Sequence, residues 1–463
     1  MTTEFDAIVI GAGQAGPPLA DRLTREGLRT AIIERKHVGG TCVNTGCIPT
    51  KTLIASARVA HQARRAAEYG VKVAERVSVD MAEVKARKDR ISLESRNGLT
   101  RWIESMPNCT FLRGHGRFES PHAVRVGNEL LEAERIFINV GARPLIPEMP
   151  GVQEVAYLTS SSIMEVDFLP EHLVIVGGSY VGLEFAQMYR RFGSRVTVVE
   201  QRDRLIAHED PDVSDAICTI LETEGIEVRL DAKCISLERA TNGIAVGVDC
   251  VHGPPRVTGS HVLLAVGRQP NTDDLGLDTA GIATEERGYI EVDEELRTNV
   301  PGVWALGECN GRGAFTHTAY NDFEIVAANL FDGEKRRVSD RITCYALFTD
   351  PPLGRAGMTE TAVRHASVDA LMATLPMSRV ARARERGETG GFMKALVEAG
   401  SDKILGVAIL GIEGDEVVHA CLDAMYARAP YKVIQRAVHI HPTVSEFLPV
   451  LLGELKPLEQ GNG

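Results

Sequence analysis

Two of the nine cysteines stand apart from the rest. They are Cys42 and Cys47, in Gly39-Gly-Thr-Cys-Val-Asn-Thr-Gly-Cys-Ile-Pro-Thr-Lys51. With Gly46 between them and Pro49 after, the two sulfurs can close a short ring. The stretch from Pro49 to Ala63 reads as a helix, so Cys47 falls near a helix N-terminus. The positive end of the helix dipole there lowers a thiol pKa and favours the thiolate. A thiolate is the species that exchanges with a disulfide. Zinc binding fits poorly, because the spacing is not C-x2-C and no second Cys/His pair lies nearby. Two merely buried cysteines would not need Gly39, Gly40 and Gly46. The other seven (Cys109, Cys218, Cys234, Cys250, Cys309, Cys344 and Cys421) are scattered and read as small buried hydrophobes.

The elements that must hold this pair begin just upstream. Asp6-Ala-Ile-Val-Ile-Gly-Ala-Gly-Gln-Ala-Gly16 is an apolar strand running into G-x-G-x-x-G. A helix follows, then a second strand, Thr30-Ala-Ile-Ile-Glu34. Gly11 permits the tight turn, Gly13 lets the backbone approach a pyrophosphate, and Gly16 lets helix and strand pack closely. The helix N-terminus offers free N–H groups to phosphate. Glu34 can accept hydrogen bonds from a ribose. Pro17 and Pro18 fall in the first helical turn, where a missing N–H is tolerated.

The unit recurs. Leu173-Val-Ile-Val-Gly-Gly-Ser-Tyr-Val-Gly182 supplies a second strand and turn, and Arg195-Val-Thr-Val-Val-Glu200 the strand after its helix. The interval from Gly11 to Glu34 equals that from Gly177 to Glu200. Two such folds imply two dinucleotides. Ser179 replaces the second glycine, which takes some room from the pyrophosphate. A carboxylate at Glu200 favours NADH, since it repels a 2′-phosphate. Arg202 and Arg204 follow closely and leave NADPH open, although a solvated basic loop is an equal reading.

With 463 residues, about three domains are expected. A chain this long buries a core without disulfides or metals. The net charge of −12 argues against nucleic acid or an anionic membrane as the main partner. No stretch is apolar enough to span a bilayer, and Met1–Asp6 runs into the first strand without a basic leader, so a cytoplasmic protein is expected.

The Gly39–Lys51 segment resembles the active-disulfide signature of the class I pyridine nucleotide-disulfide oxidoreductases, which include dihydrolipoamide dehydrogenase, glutathione reductase and mercuric reductase. The resemblance extends through Phe137-Ile-Asn-Val-Gly141, Leu264-Ala-Val-Gly-Arg-Gln-Pro-Asn271, Val303-Trp-Ala-Leu-Gly-Glu308, Phe348-Thr-Asp-Pro-Pro352 and His439-Ile-His-Pro-Thr-Val-Ser-Glu446. It implies an α/β fold with two Rossmann-type dinucleotide-binding domains, for FAD and NAD(P), and an α+β dimerisation domain. The implied limits are about 1–145 for FAD with the redox disulfide, 146–270 for NAD(P), 271–341 for a central domain completing the FAD site, and 342–463 for the dimer interface.

The resemblance also implies roles. Cys42 would be the interchange thiol and Cys47 the charge-transfer thiol beside the flavin. Lys51 and Glu184 would form an ion pair near flavin and nicotinamide. Gly141 and Gly267 fall in the cofactor-binding stretches. Glu308 would lie on the ribityl chain of FAD, where the family usually has Asp. His441, held by Glu446, would move the proton that dithiol–disulfide exchange requires, and would come from the other subunit of a homodimer. His439 reads as structural, and His317 has no comparable support.

The activity this implies is electron transfer between nicotinamide, flavin, the Cys42–Cys47 disulfide and a small or protein-bound dithiol/disulfide, most like dihydrolipoamide dehydrogenase. Glu209-Asp-Pro-Asp-Val-Ser214 and Phe348-Thr-Asp-Pro-Pro-Leu-Gly-Arg355 resemble the mercuric-reductase-like branch, so reduction of Cu(II) or Hg(II) by the dithiol stands as an alternative. Against a mercuric reductase proper, no cysteine follows Cys421. A different class, a redox sensor without turnover, also stands.

Overall fold

Runs of β-branched and aliphatic residues form the first sheet. The structure is a computed structural model and describes residues 2–73, 77–233, 235–248 and 254–459; Cys234 and Cys250 lie outside the described residues. Strand β1 (Thr2–Ile10) leads through the glycine turn into helix α1 (Gly16–Arg25), and the chain returns as β2 (Thr30–Glu34). Helix α2 (Cys47–Arg65) follows, and β3 (Glu129–Ile138) pairs parallel to β1 on the side away from β2. Among the described residues the sheet has seven strands. Its parallel part runs Cys109–Arg113, β2, β1, β3 and Val303–Ala305, and an antiparallel hairpin from Gly116 to Val126 extends from β3. The side chains of Ile8, Val9, Ile32 and Ile33 are completely or almost completely buried, as expected for a parallel sheet covered on both faces.

The second repeat builds the same motif. Strand β4 (His172–Val176) leads into helix α3 (Tyr180–Phe192) and then β5 (Arg195–Val199). Among the described residues its parallel sheet has five strands, in the order Glu227–Arg229, β5, β4, His261–Leu264 and Leu158–Thr159. The repeats share their hydrogen bonds as well as their spacing. Glu34 accepts from the N–H of Ala12 (3.0 Å) and of Lys36 (2.7 Å). Glu200 accepts from Gly178 (2.6 Å) and Arg202 (2.9 Å), the matching positions.

The C-terminal part is different in kind. Helix α4 (Thr316–Ala327) precedes an antiparallel six-stranded sheet whose central strands are β6 (Leu353–Gly357), β7 (Phe392–Glu398) and β8 (Ile404–Leu410). Helix α5 (Gly414–Tyr426) packs on it. One apolar cluster joins Leu53 and Ala57 of α2, Leu183 and Phe185 of α3, and Leu347 and Leu353 of this sheet. The thiol-bearing helix, the second repeat and the antiparallel sheet therefore share a core. The fold is the α/β architecture with two Rossmann-type units and an α+β domain that the resemblance implies.

Close packing at the first glycine turn is strict. A Cβ on Gly16 would lie 2.3 Å from the carbonyl oxygen of Gly11. Gly98, inside the helix Met81–Ser105, has nothing within 4 Å of that position. Gly16→Ala is therefore expected to destabilise the protein by roughly 1–3 kcal/mol, and Gly98→Ala to stabilise it by up to about 1 kcal/mol. Thermal denaturation of the two variants side by side checks the opposite signs.

Candidate active site

The loop carrying the thiols is seated on the first dinucleotide turn. A Cβ on Gly40 would come within 2.9 Å of the Gly13 Cα, and Gly40 adopts a left-handed conformation (φ 59°). The Gly39 N–H donates to the Ala12 carbonyl (2.8 Å), and Gln14 Nε2 donates to the Gly39 carbonyl (3.0 Å). Asn44 ties the loop internally to Val38 (3.0 Å) and Gly40 (2.8 Å), and Arg96 Nε holds the Asn44 oxygen (2.7 Å). Cys42 lies in the short helix Gly40–Asn44, and Gly46 caps α2. The helix begins at Cys47 itself, two residues earlier than Pro49, because Gly46 adopts a cap conformation (φ −127°, ψ −121°) that starts the helix there.

Cys42 and Cys47 are free thiols in the structure. Each thiol shifts the acidity of the other, in opposite directions. The Cys47 thiol is drawn down to about 6, first by the Cys42 thiol, then by Thr316 and the Lys51 charge, against the opposing effect of burial. Cys42, as donor and partly buried, is pushed far up. The balance favours the thiolate at Cys47 and the thiol at Cys42. Thr316 Oγ1 lies 3.3 Å from Cys47 Sγ. It is the first residue of α4, placed by Thr318, whose hydroxyl accepts from the Phe315 N–H (3.1 Å).

Lys51, one helical turn beyond Cys47, donates to Glu184 Oε2 at 2.8 Å. Glu184 is buried on α3 and also accepts from the Phe348 N–H (3.1 Å), while the Lys51 ammonium sits 4.4 Å from the centre of the Phe348 ring. The structure thus brings Cys42, Cys47, Lys51 and Glu184 together.

It places His441 and Glu446 elsewhere. His441 Nδ1 is 2.9 Å from a Glu446 oxygen, and the Thr443 N–H holds the same carboxylate (3.3 Å). The His441 side chain is 74% exposed and is hydrogen-bonded to Glu446, not to either thiol. His439 bonds its own segment at Ala437 (3.2 Å). His317 stacks on Phe315 and meets the Cys344 carbonyl (2.9 Å).

The cofactor stretches also have geometry. At Gly13 the nearest atom to a Cβ position is 3.4 Å away, an open cradle, unlike the closed ones at Gly11 and Gly16. Helix α1 has no side-chain cap and no acid in its first turn; Pro17 and Pro18 carry no N–H, and the Gly16 and Leu19 N–H groups bond the Gly13 and Ala15 carbonyls, so what its N-terminus offers an anion is the positive end of its dipole and not free donors. In the second repeat, Gly177 and Gly182 are closed by the Ala265 and Gly177 carbonyls. Gly141 and Gly267 flank the two-stranded crossing of Ala142–Pro144 and Arg268–Pro270, where Asn271 bonds the Gly141 carbonyl (3.0 Å) and Leu145 that of Gly267 (3.0 Å). Glu308 is ion-paired with Arg268 (2.6 Å), which also donates to the Ala142 carbonyl (2.6 Å). The residues present fit an FAD along the first turn.

Residues 5–322 match the family described as pyridine nucleotide-disulphide oxidoreductase, and residues 343–451 match its dimerisation domain. The chain belongs to this family. As an oxidoreductase of this kind it is a flavoprotein enzyme that uses a pyridine nucleotide. It is 35% identical to RclA of Escherichia coli, over 98% of this chain and 100% of that protein. It is 33% identical to a mercuric reductase of Streptomyces lividans, over 96% and 95%. Its fold matches the solved Cu(II) complex of the HOCl-induced flavoprotein disulfide reductase RclA from Escherichia coli, with a TM-score of 0.88 and 34% identity over 97% of this chain and 99% of that one.

Reasoning from the sequence missed Thr316, Phe348 and Asn139 as contributors. Asn139 Nδ2 bonds the Gly11 carbonyl (3.2 Å) and lines the glycine turn. Phe348 and Asn139 lie inside quoted motifs, but Thr316 sits beside the eye-catching His317 without a signal of its own. Because Thr316 and Lys51 both favour the thiolate, Thr316→Val and Lys51→Met are each expected to raise the pH midpoint for iodoacetamide alkylation of Cys47 above about 6. Thr316→Ser should leave it near wild type. Mass spectrometry of the reduced protein, alkylated across a pH series, locates the label and gives the midpoint.

Proposed function

We propose that this oxidoreductase passes electrons between NADH and a dithiol/disulfide substrate through Cys42 and Cys47, from NADH to the substrate in the direction of disulfide reduction. The observation that carries the reading is the Cys42–Cys47 loop seated on the first glycine turn, with Thr316 against Cys47 and the Lys51–Glu184 pair one helical turn on. Gly11, Gly13, Gly16, Glu34, Gly141 and Glu308 are the residues assigned to FAD, and Gly177, Gly182, Glu200 and Gly267 those assigned to the nicotinamide dinucleotide. FAD bound there supplies the carrier that takes the hydride electron pair from NADH and delivers it to the disulfide. Glu200, with both oxygens engaged by backbone N–H groups, presents a fixed negative charge at the ribose and favours NADH. Arg204, a candidate for a 2′-phosphate, is already paired with Asp203 (3.1 Å).

Two electrons and a proton convert the Cys42–Cys47 disulfide to the thiolate–thiol pair. Cys42 must then lose its proton to attack a substrate disulfide, and it holds that proton tightly. His441, its other nitrogen fixed by Glu446, takes it. The Cys42 sulfur bonds one substrate sulfur, and the departing sulfur receives the proton back from His441. Cys47 thiolate then attacks Cys42, reforms the disulfide and releases the second substrate sulfur as a thiolate, which takes its proton from solvent. Both His441 and Glu446 come from the second copy of a homodimer, since in one chain His441 is open to solvent. Such a thiol pair suits a reducing, cytoplasmic compartment. Among the described residues no helix is long and apolar enough to cross a membrane.

Metal-ion reduction is the second reading, and the likeness to a Cu(II) complex of RclA supports it. Among the described residues no group of three or more His, Cys, Asp or Glu is arranged for a metal ion, so the two sulfurs themselves would receive it as soft donors.

Steady-state assays with NADH and a disulfide panel, Cu(II) and Hg(II), and with NAD⁺ and dihydrolipoamide, separate these readings. Sustained turnover with a disulfide or dithiol, lost in Cys42→Ser, supports the first. Turnover with metal ions alone supports the second, and a single stoichiometric reduction without turnover identifies a sensor. His441→Ala is expected to lower dithiol–disulfide turnover by about 100-fold or more while flavin reduction by NADH stays within about twofold, read by stopped flow. Cys47→Ser is expected to abolish the long-wavelength thiolate–flavin absorbance of the reduced enzyme.

A further inference from the structure

Helix α3 presents Glu184, Gln187 and Arg191 on one face, at the spacing that aligns side chains along a helix. All three grip a single segment, Phe348-Thr-Asp350. Glu184 Oε1 accepts the Phe348 N–H. Gln187 brackets residue 350, accepting its N–H at 2.7 Å and donating to its carbonyl at 2.8 Å. Arg191 donates to the Asp350 carboxylate at 2.6 Å and to its carbonyl at 3.2 Å. Glu224 closes the set, accepting from Arg191 Nε (2.9 Å) and Nη2 (2.7 Å) and from Gln187 (2.9 Å). Gln187 and Arg191 are almost fully buried.

A buried ionic set is a poor source of net stability, because desolvation offsets the attraction. What it does well is fix geometry, since any shift leaves a buried charge unpaired. Here the fixed segment carries Phe348, which holds Glu184 through its N–H and faces Lys51 with its ring. The hydrogen bond and the ring contact of the Lys51 ammonium are therefore both made by groups that the clasp holds. We propose that Gln187, Arg191 and Asp350 are positioning residues of the redox site, which set Phe348 and Glu184 and through them hold the Lys51 charge beside Cys47. This rests on the reading that the Lys51–Glu184 pair serves the redox centre.

The test uses the FAD-loaded, dithiol-reduced enzyme in Asp350→Asn, Asp350→Ala and Gln187→Met forms. Two quantities are read: the pH midpoint for iodoacetamide alkylation of Cys47, and the rate of flavin reduction by NADH. The clasp predicts that the midpoint rises by about half a pH unit or more and that flavin reduction slows about tenfold. Asp350→Asn, which keeps the side-chain shape and both backbone bonds to Gln187, should fall between wild type and Asp350→Ala. A purely structural role would lower the melting temperature and FAD content and leave the Cys47 midpoint in place. An unchanged midpoint and rate in folded, FAD-replete Asp350→Asn and Gln187→Met overturns the proposal; if Asp350→Ala does not fold, these two decide. Glu184→Gln is the control: if it moves both quantities and the clasp variants move neither, only the clasp fails. If Glu184→Gln also moves neither, the reading of the Lys51–Glu184 pair fails.

Discussion

A thiolate at neutral pH must be stabilised by its neighbours or it takes up a proton, and the site depends on how that is done for Cys47. The first stabilising contact is the S–H of Cys42. Next come the Thr316 hydroxyl and the Lys51 charge, while burial works against them all. These groups come from distant parts of the chain: the loop on the first glycine turn, the start of α4, and α2. The thiolate therefore reports on the packing of the whole molecule. That dependence is why one apolar cluster spans α2, α3 and the antiparallel sheet. Without it, no single repeat would hold Lys51 and Glu184 in register.

The two dinucleotide repeats solve the same backbone problem in the same way. Each ends its second strand with a glutamate that takes the N–H following the first glycine and the N–H two residues beyond itself. Each carboxylate is thereby fixed before any ligand arrives, which lowers the cost of ordering it on binding. Only the first repeat carries the redox loop, packed so tightly on Gly13 that Gly40 has no room for a side chain. The thiols are thus tied to one of the two turns by close backbone approach.

Much of this was legible in the sequence where the physics is local. Strand–turn–helix periodicity, matched spacing and terminal acids identify both repeats, and Cys42, Cys47 and the helix after them announce a thiolate. The start of α2 was read two residues late, because propensity points to Pro49 whereas the cap conformation of Gly46 decides. Thr316 was invisible because its importance lies in contact across the fold: nothing in Phe315-Thr-His-Thr says that the hydroxyl, and not the imidazole, faces a sulfur. The ion pair between Glu308 and Arg268 was hidden for the same reason, since the two residues lie in separate motifs that meet only in space.

What a single chain leaves unfinished follows from the same acidity split. Lowering Cys47 at the expense of Cys42 makes Cys42 slower to react, because Cys42 then holds its proton more tightly. Exchange through Cys42, as proposed, needs a base, and the imidazole proposed for it, His441, is turned into solvent with Glu446 behind it. Beside it, Val438 and Ile440 are 101% and 80% exposed. Leaving two aliphatic side chains in water forgoes roughly 1.5–3 kcal/mol each compared with burial. An exposed apolar segment carrying an oriented histidine, within a dimerisation domain, is what a second copy would cover. The acidity problem at Cys42 and the apolar surface around His441 thus have a common solution in the association of two chains.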